Sequence, residues 1–210
     1  MEIQFYGANC IRITTKKATF TIDGLVNGGD KSFIKNGDTV IFTDKADDRK
    51  VTNEVKLTLD KPGEYEVADT SILGIPARAF SDEPKTLNNT IFKLECEEVK
   101  LAIIGNIHPE LSDSQLELLG EVDVLVVPVG DNELTLSGSN ALNIIKNIEP
   151  YVVIPTHFAD PKIKYEKPQA TLTEALKELA MEPTETVPKI KLKSSSFTEG
   201  DTIKLIVLES

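Results

Sequence analysis

Apolar positions in the first half of the chain come in short, β-branched runs broken by polar turns. Glu2–Phe5, Cys10–Thr14 and Ala18–Ile22 are separated by Gly7–Asn9 and Thr15–Lys17, and each reads as a strand. Thr39–Phe42 is another, and Glu54–Leu59 alternates apolar with polar residues, which predicts a strand with one buried face. Lys61-Pro62-Gly63-Glu64 predicts a turn, because proline fixes one φ and glycine frees the next. Glu66–Ile75, Asn89–Glu95 and Lys100–Ile104 complete a strand-rich half.

Beyond residue 110 the period changes. Ser112-Asp113-Ser114-Gln115 has the form of a capping box and opens a helix. Val122–Val129, apolar except for Asp123, predicts a strand covered on both faces. A helix over Ser139–Ile148 would present Leu142, Ile145 and Ile148 on one side and stop before Pro150. Tyr151–Pro155 reads as a second buried strand. Thr171–Leu179 reads as an amphipathic helix with Leu172, Ala175, Leu176 and Leu179 inward, and Thr202–Leu208 as a last strand. Strands first, then strands alternating with helices, predict a layered α/β architecture. No repeat or linker interrupts the chain, so one domain over 1–210 is expected, with Pro161–Gln169 the candidate for a mobile loop.

Composition narrows the functional classes. A net charge of −11 argues against a nucleic-acid partner and against anionic membranes. The start MEIQFYG lacks a basic segment followed by an apolar one, and no apolar run is long enough to span a bilayer, so a cytoplasmic protein is expected. Cys10 and Cys96 give no disulfide framework and read as buried thiols. Cys96 among Glu95, Glu97 and Glu98 is a poor nucleophile. No phosphate-cradling glycine loop is present, and Ser137-Gly138-Ser139 reads as the start of a helix rather than a nucleophile elbow. The chain has only two histidines, His108 and His157.

A series of short motifs runs along most of the chain. It comprises Tyr6-Gly7 through Cys10, Ile22-Asp23, Lys61-Pro62-Gly63-Glu64-Tyr65-Glu66-Val67, Gly74-Ile75-Pro76 and Asn89-Thr90-Ile91-Phe92. It continues with Gly105-Asn106, Val122-Asp123 to Gly130, Ile148-Glu149-Pro150 and Ile154-Pro155-Thr156-His157-Phe158. In this order the motifs resemble the small bacterial metallo-β-lactamase-fold proteins regarded as zinc-dependent hydrolases. The likeness is close over roughly 1–160 and looser beyond. It implies a four-layer αβ/βα sandwich with a site at one edge between two sheets.

In active members of that superfamily, metal is held by a His-x-His-x-Asp-His loop, a further histidine, a bridging aspartate and a late histidine. Zinc needs such neutral imidazole and carboxylate donors, with one position left for water. Carried over by position, Asp44 stands for the first histidine and Ala46 for the second. Asp48 keeps the aspartate, and Arg49 stands for the last histidine of the loop. Ala79 falls where a further histidine is expected, Asn106 stands for the bridging aspartate, and only His157 keeps the late histidine. Gly7-Ala8-Asn9-Cys10 replaces a Gly-His-Ser-Cys of many relatives. Alanine has no donor atom and arginine is a fixed cation, so no metal and no other cofactor is expected. If any divalent ion binds, zinc or a harder cation, Asp44, Asp48, Asn106 and His157 would be its ligands. Asp44, Asp47 and Asp48 otherwise read as a solvated acidic turn, or Arg49 pairs with Asp48 in place of the metal. His108 reads as a loop residue before Pro109. The resemblance and its losses together imply a non-catalytic binding or assembly protein. The alternative is a hydrolase, of phosphoester or lactone type, with an altered carboxylate-rich site. The partner is unnamed by sequence; a second copy or an intact paralogue is a candidate.

Overall fold

The computed structural model describes residues 1–26, 31–45, 50–198 and 200–210. In its first half lie β1 (Glu2–Phe5), β2 (Ile11–Thr14), β3 (Thr19–Ile22), β4 (Leu25–Val26), β5 (Lys31–Ser32), β6 (Thr39–Ile41), β7 (Leu57–Leu59), β8 (Gly63–Val67), β9 (Thr70–Ala77), β10 (Asn89–Cys96) and β11 (Val99–Ile103). Then come α1 (Asp113–Leu119), β12 (Val124–Pro128), α2 (Gly138–Ile148), β13 (Val152–Thr156), α3 (Leu172–Leu179), β14 (Pro183–Val187), β15 (Lys189–Lys191) and β16 (Lys204–Leu208).

Strand pairing yields a six-stranded sheet, β15-β1-β2-β3-β6-β7, and an eight-stranded sheet, β14-β16-β13-β12-β11-β10-β9-β8. Alternation sets the faces of the first sheet: Ile3, Phe5, Ile11, Ile13, Phe20 and Ile22 are all buried. They meet Ile91, Phe92, Leu94 and Leu101 of the second sheet in one continuous apolar core. In the second sheet β12 and β13 are buried at every residue, because α1, α2 and α3 close the side away from the first sheet. This is the expected α/β sandwich.

Helix boundaries follow the caps. Ser112 accepts from the Gln115 amide and Gln115 returns the bond, closing the capping box of α1. Thr171 and Glu174 do the same for α3. Ser137 caps α2, so Ser137-Gly138-Ser139 is the helix start that its composition suggests. The inward side of α2 differs from the expected one: Ala141, Ile144 and Ile145 are buried, whereas Leu142 and Ile148 are only partly so. The helix is rotated toward its small residues, because α3 packs closely there. A Cβ on Gly138 would lie 2.6 Å from the Ala175 carbonyl oxygen.

Other expectations shift by a few residues. Glu54–Leu59 shortens to β7, and Leu57 is exposed at this sheet edge. Gly63-Glu64 belongs to β8, not to a turn, since Gly63 already pairs with Gly74. Among the described residues no α-helix covers the outer side of the first sheet. There Val51 and Val55 pack with Leu25 on Ile34, Val40 and Phe42. Asp38, buried, accepts from Arg12 Nη2 at 2.7 Å and from Thr21 Oγ1 at 2.7 Å, tying this segment to β2 and β3. Among the described residues no helix is long and apolar enough to cross a membrane.

The close approach at Gly138 sets a test. Alanine favours helix over glycine by up to about 1 kcal/mol in a helix interior. Gly138→Ala should nevertheless lower stability by about 1–3 kcal/mol, because the added methyl must part α2 from α3. Urea denaturation checks this, and an unchanged or raised midpoint would show that the two helices separate freely.

Candidate functional site

The strand directions bring one set of loops to one edge of the sandwich. β11, β12 and β13 are parallel, and Asn106, Gly130 and His157 follow their C-terminal ends. In the first sheet β3 and β6 are parallel, and Asp23 and Asp44 follow them. Asn9 lies in the connection between β1 and β2 at the same edge. Such an edge is where an α/β sheet leaves room for a ligand. Asn9, Asp23, Asp44, Asn106 and His157 line a cleft of about 300 Å³, roofed by residues of the segment 163–169.

Two strained backbones join the edges. His157 and Ala8 both have left-handed φ, 58° and 50°, an uncommon conformation for residues with a Cβ. The His157 peptide N–H donates to the Ala8 carbonyl at 2.8 Å. That bond turns the His157 side chain into the cleft.

Behind it runs a chain of neutral polar bonds. Thr156 Oγ1 donates to Asn9 Oδ1 at 3.1 Å, and Asn9 Nδ2 donates to Asn106 Oδ1 at 3.0 Å. The Asn106 carbonyl accepts from Asn89 Nδ2 at 3.0 Å and from the Phe80 amide at 3.1 Å. Asn106 is thus fixed both at its backbone and at its side-chain oxygen. Asp23 accepts from the Thr43 amide at 2.8 Å and from Thr43 Oγ1 at 2.6 Å.

His157 Nδ1 lies 3.0 Å from Gln169 Oε1. The Gln169 amide nitrogen already donates to the Lys167 carbonyl at 2.8 Å, so Oε1 must accept from an Nδ1–H. The lone pair of the neutral ring is then on Nε2. Burial holds the imidazole pKa below its ordinary value, only partly opposed by the Gln169 bond and the charge of Asp44. Tyr165 tilts against the ring with centroids 5.5 Å apart. Its hydroxyl donates to the Phe158 carbonyl at 2.8 Å, and burial pushes its pKa up to about 12. Gly130 leaves space for this arrangement, since a Cβ there would lie 2.1 Å from Gln169 Oε1.

The positions singled out by sequence divide into three groups. Asp44, Asn106 and His157 come together at the cleft. Ala79 does not line it; it bridges Ile107 on the far side of the Asn106 segment. Ala46, Asp47, Asp48 and Arg49 lie outside the described residues, and with them the Arg49–Asp48 pair. Sequence reasoning missed Gln169 and Tyr165, which sit in the segment expected to be a mobile loop. Its residue Ile163 is buried beside Cys10, and Ala159 and Ala170 close its ends by a backbone bond of 2.8 Å. A glutamine and a tyrosine have no sequence signal for a cleft; only the path of the chain brings them there. Cys10 and Cys96 are both free and buried, and burial raises both thiol pKa values, that of Cys96 to about 11.

The donors among the described residues fit a divalent metal poorly. Among the described residues no three His, Cys, Asp or Glu side chains form a group able to hold one. Asn106 offers a neutral oxygen already bonded to Asn9, and a zinc site wants at least three nitrogen, sulfur or carboxylate donors. Amide, imidazole, hydroxyl and carboxylate groups converge on a small polar cleft.

Comparison with known proteins agrees with this geometry in fold. A protein of the UPF0173 group from Pyrococcus abyssi is 26% identical over 179 residues, covering 75% of this chain and 83% of its own. One from Pyrococcus furiosus is 34% identical over 110 residues, 50% of this chain and 51% of its own. A candidate Zn-dependent hydrolase of the metallo-beta-lactamase superfamily from Thermotoga maritima superposes with a TM-score of 0.75 over 100% of both chains at 22% identity. Igni18, a metallo hydrolase from the archaeon Ignicoccus hospitalis, gives 0.60 over 91% of this chain and 99% of its own at 16% identity. Residues 2–157 match the family model described as the beta-lactamase superfamily domain, and the chain belongs to that superfamily.

Proposed function

We propose that this chain is a non-catalytic member of its superfamily, a binding or assembly protein whose cleft has exchanged metal ligands for a neutral hydrogen-bonded network. The observation that carries this reading is the Thr156–Asn9–Asn106 chain of bonds. An aspartate in place of Asn106 would accept the same Asn9 bond and add a charge. The amide keeps the bond without the charge, and a buried uncompensated charge is far more costly than a paired amide. The competing reading, a metal-dependent hydrolase on Asp44, Asp48, Asn106 and His157, draws support from three of those residues sharing the cleft.

Metal analysis separates the two. The purified protein, incubated with zinc, manganese or magnesium and then desalted, should retain far less than one ion per chain. Near-stoichiometric metal that disappears in His157→Ala would reverse the reading in favour of the hydrolase.

The network itself is open to test. Asn9→Ala leaves the Thr156 hydroxyl and the Asn106 oxygen without partners, and should lower stability by about 1–3 kcal/mol. A loss below about 0.5 kcal/mol in chemical denaturation would mean that water replaces Asn9 freely, since exposed polar sites change stability by no more than that.

His157 adds a pH dependence of known sign. Its folded-state pKa lies below the ordinary histidine value of 6.5. The unfolded chain therefore binds the proton more readily, and stability is full above about pH 6.5 and falls as pH is lowered toward the folded value. His108, also depressed by burial and by Arg78, acts in the same direction. The difference between wild type and His157→Gln isolates the first. The variant should lose less stability than wild type between about pH 7 and 5.5, and equal slopes would show that His157 is not held neutral.

A further inference from the structure

Away from the cleft, β9 and α1 enclose a second groove of about 380 Å³. Its walls are mostly apolar, formed by Ile75, Ile107, Leu111, Leu87 and Leu118. Leu87 and Leu118 are 57% and 50% exposed, an unusual state for two leucines that face one hollow. The walls are fixed to each other, since Gln115 Nε2 donates to the Pro76 carbonyl at 2.8 Å.

One strong cation lines this groove. Arg78 follows β9, and its Nε–H is buried with no hydrogen-bond partner. Among the described residues its guanidinium forms no ion pair, although the chain carries 34 acidic side chains. A buried donor left unpaired is costly, and a guanidinium fork is shaped for a carboxylate. His108 stands beside it, and Arg78's charge helps keep that ring neutral. Among the described residues Glu110 is the one carboxylate at the rim, 88% exposed and 4.0 Å from His108, and it forms no ion pair with Arg78.

We propose that this groove binds an apolar monocarboxylate, whose chain lies on the leucine and isoleucine walls and whose carboxylate pairs with Arg78. Charge complementarity selects the anion, and the apolar lining selects its tail. The groove is separate from the cleft: the segment Gly105–His108 lies between them, with Asn106 on the cleft and Ile107 and His108 on the groove.

Sodium octanoate titrated into the full chain by calorimetry, with 1-octanol as the uncharged control, tests the proposal. Octanoate should bind saturably with one site and at least about tenfold more tightly than 1-octanol, the factor expected of a charge-assisted bond. Arg78→Gln should abolish that preference, and Arg78→Lys should keep part of it. Leu118→Glu, at an exposed position that leaves the core untouched, should weaken octanoate by a similar factor through like-charge repulsion. Amide shifts should appear at Ser112–Gln115. Absence of saturable binding, equal affinity for acid and alcohol, insensitivity to both Arg78→Gln and Leu118→Glu, or shifts confined to Ala8 and Asn9 would each overturn it.

Discussion

The hydrogen bond from the His157 amide to the Ala8 carbonyl holds the cleft edge of this sandwich together. The two sheets are built from different parts of the chain and share a core of apolar side chains, which orients them but does not fix one edge loop against another. Dispersion and hydrophobic burial are non-directional; a 2.8 Å bond between left-handed backbones is not. With Ala8 fixed, Asn9 is placed between Thr156 and Asn106, so the polar chain crosses from one sheet to the other. The strain of two non-glycine residues at positive φ persists because the surrounding bonds over-determine it.

A metal at such an edge does comparable work: it joins loops from both sheets through charged and imidazole donors. The Thr156–Asn9–Asn106 chain also joins them, using neutral groups that satisfy each other. The physical trade is in sensitivity. A metal-linked edge depends on metal supply and on deprotonated ligands. An amide-linked edge has no such dependence in Asn9, Asn106 or Thr156, while the His157 imidazole beside them has its pKa lowered by burial. The imidazole itself is set by Gln169, whose amide is oriented by the Lys167 carbonyl, so the tautomer is decided two bonds away.

Much of this was legible in the sequence, and what was not has a common cause. The capping box at Ser112, the amphipathic helix after Thr171, the all-buried β12 and β13, and the meeting of Asp44, Asn106 and His157 all rest on local pattern or on motif order. β14 and β15 were not legible, because Pro183–Val187 and Lys189–Lys191 are largely exposed edge strands with no apolar alternation to betray them. Gln169, Tyr165 and Asn9 were missed as partners for a related reason. Their roles depend on contacts 12, 8 and 97 residues distant, to His157, His157 and Asn106. The alternation of Glu54–Leu59 misled because a short parallel edge strand leaves Leu57 uncovered.

The segment Gly105–His108 explains why one edge can carry two chemically different hollows. It is bonded from both sides: the Asn106 carbonyl receives Asn89 and Phe80, while the His108 amide donates to the Arg78 carbonyl at 2.9 Å. The chain turns at Gly105, where the Ile107 amide donates to the Gly105 carbonyl at 3.0 Å, and leaves Asn106 on the cleft with Ile107 and His108 on the apolar groove. The cleft so formed is polar, neutral at Asn106, and set by amides. The groove beside it is apolar and dominated by a guanidinium without a partner among the described residues. Ala79 bridges Ile107 and lies with the partition rather than with the cleft.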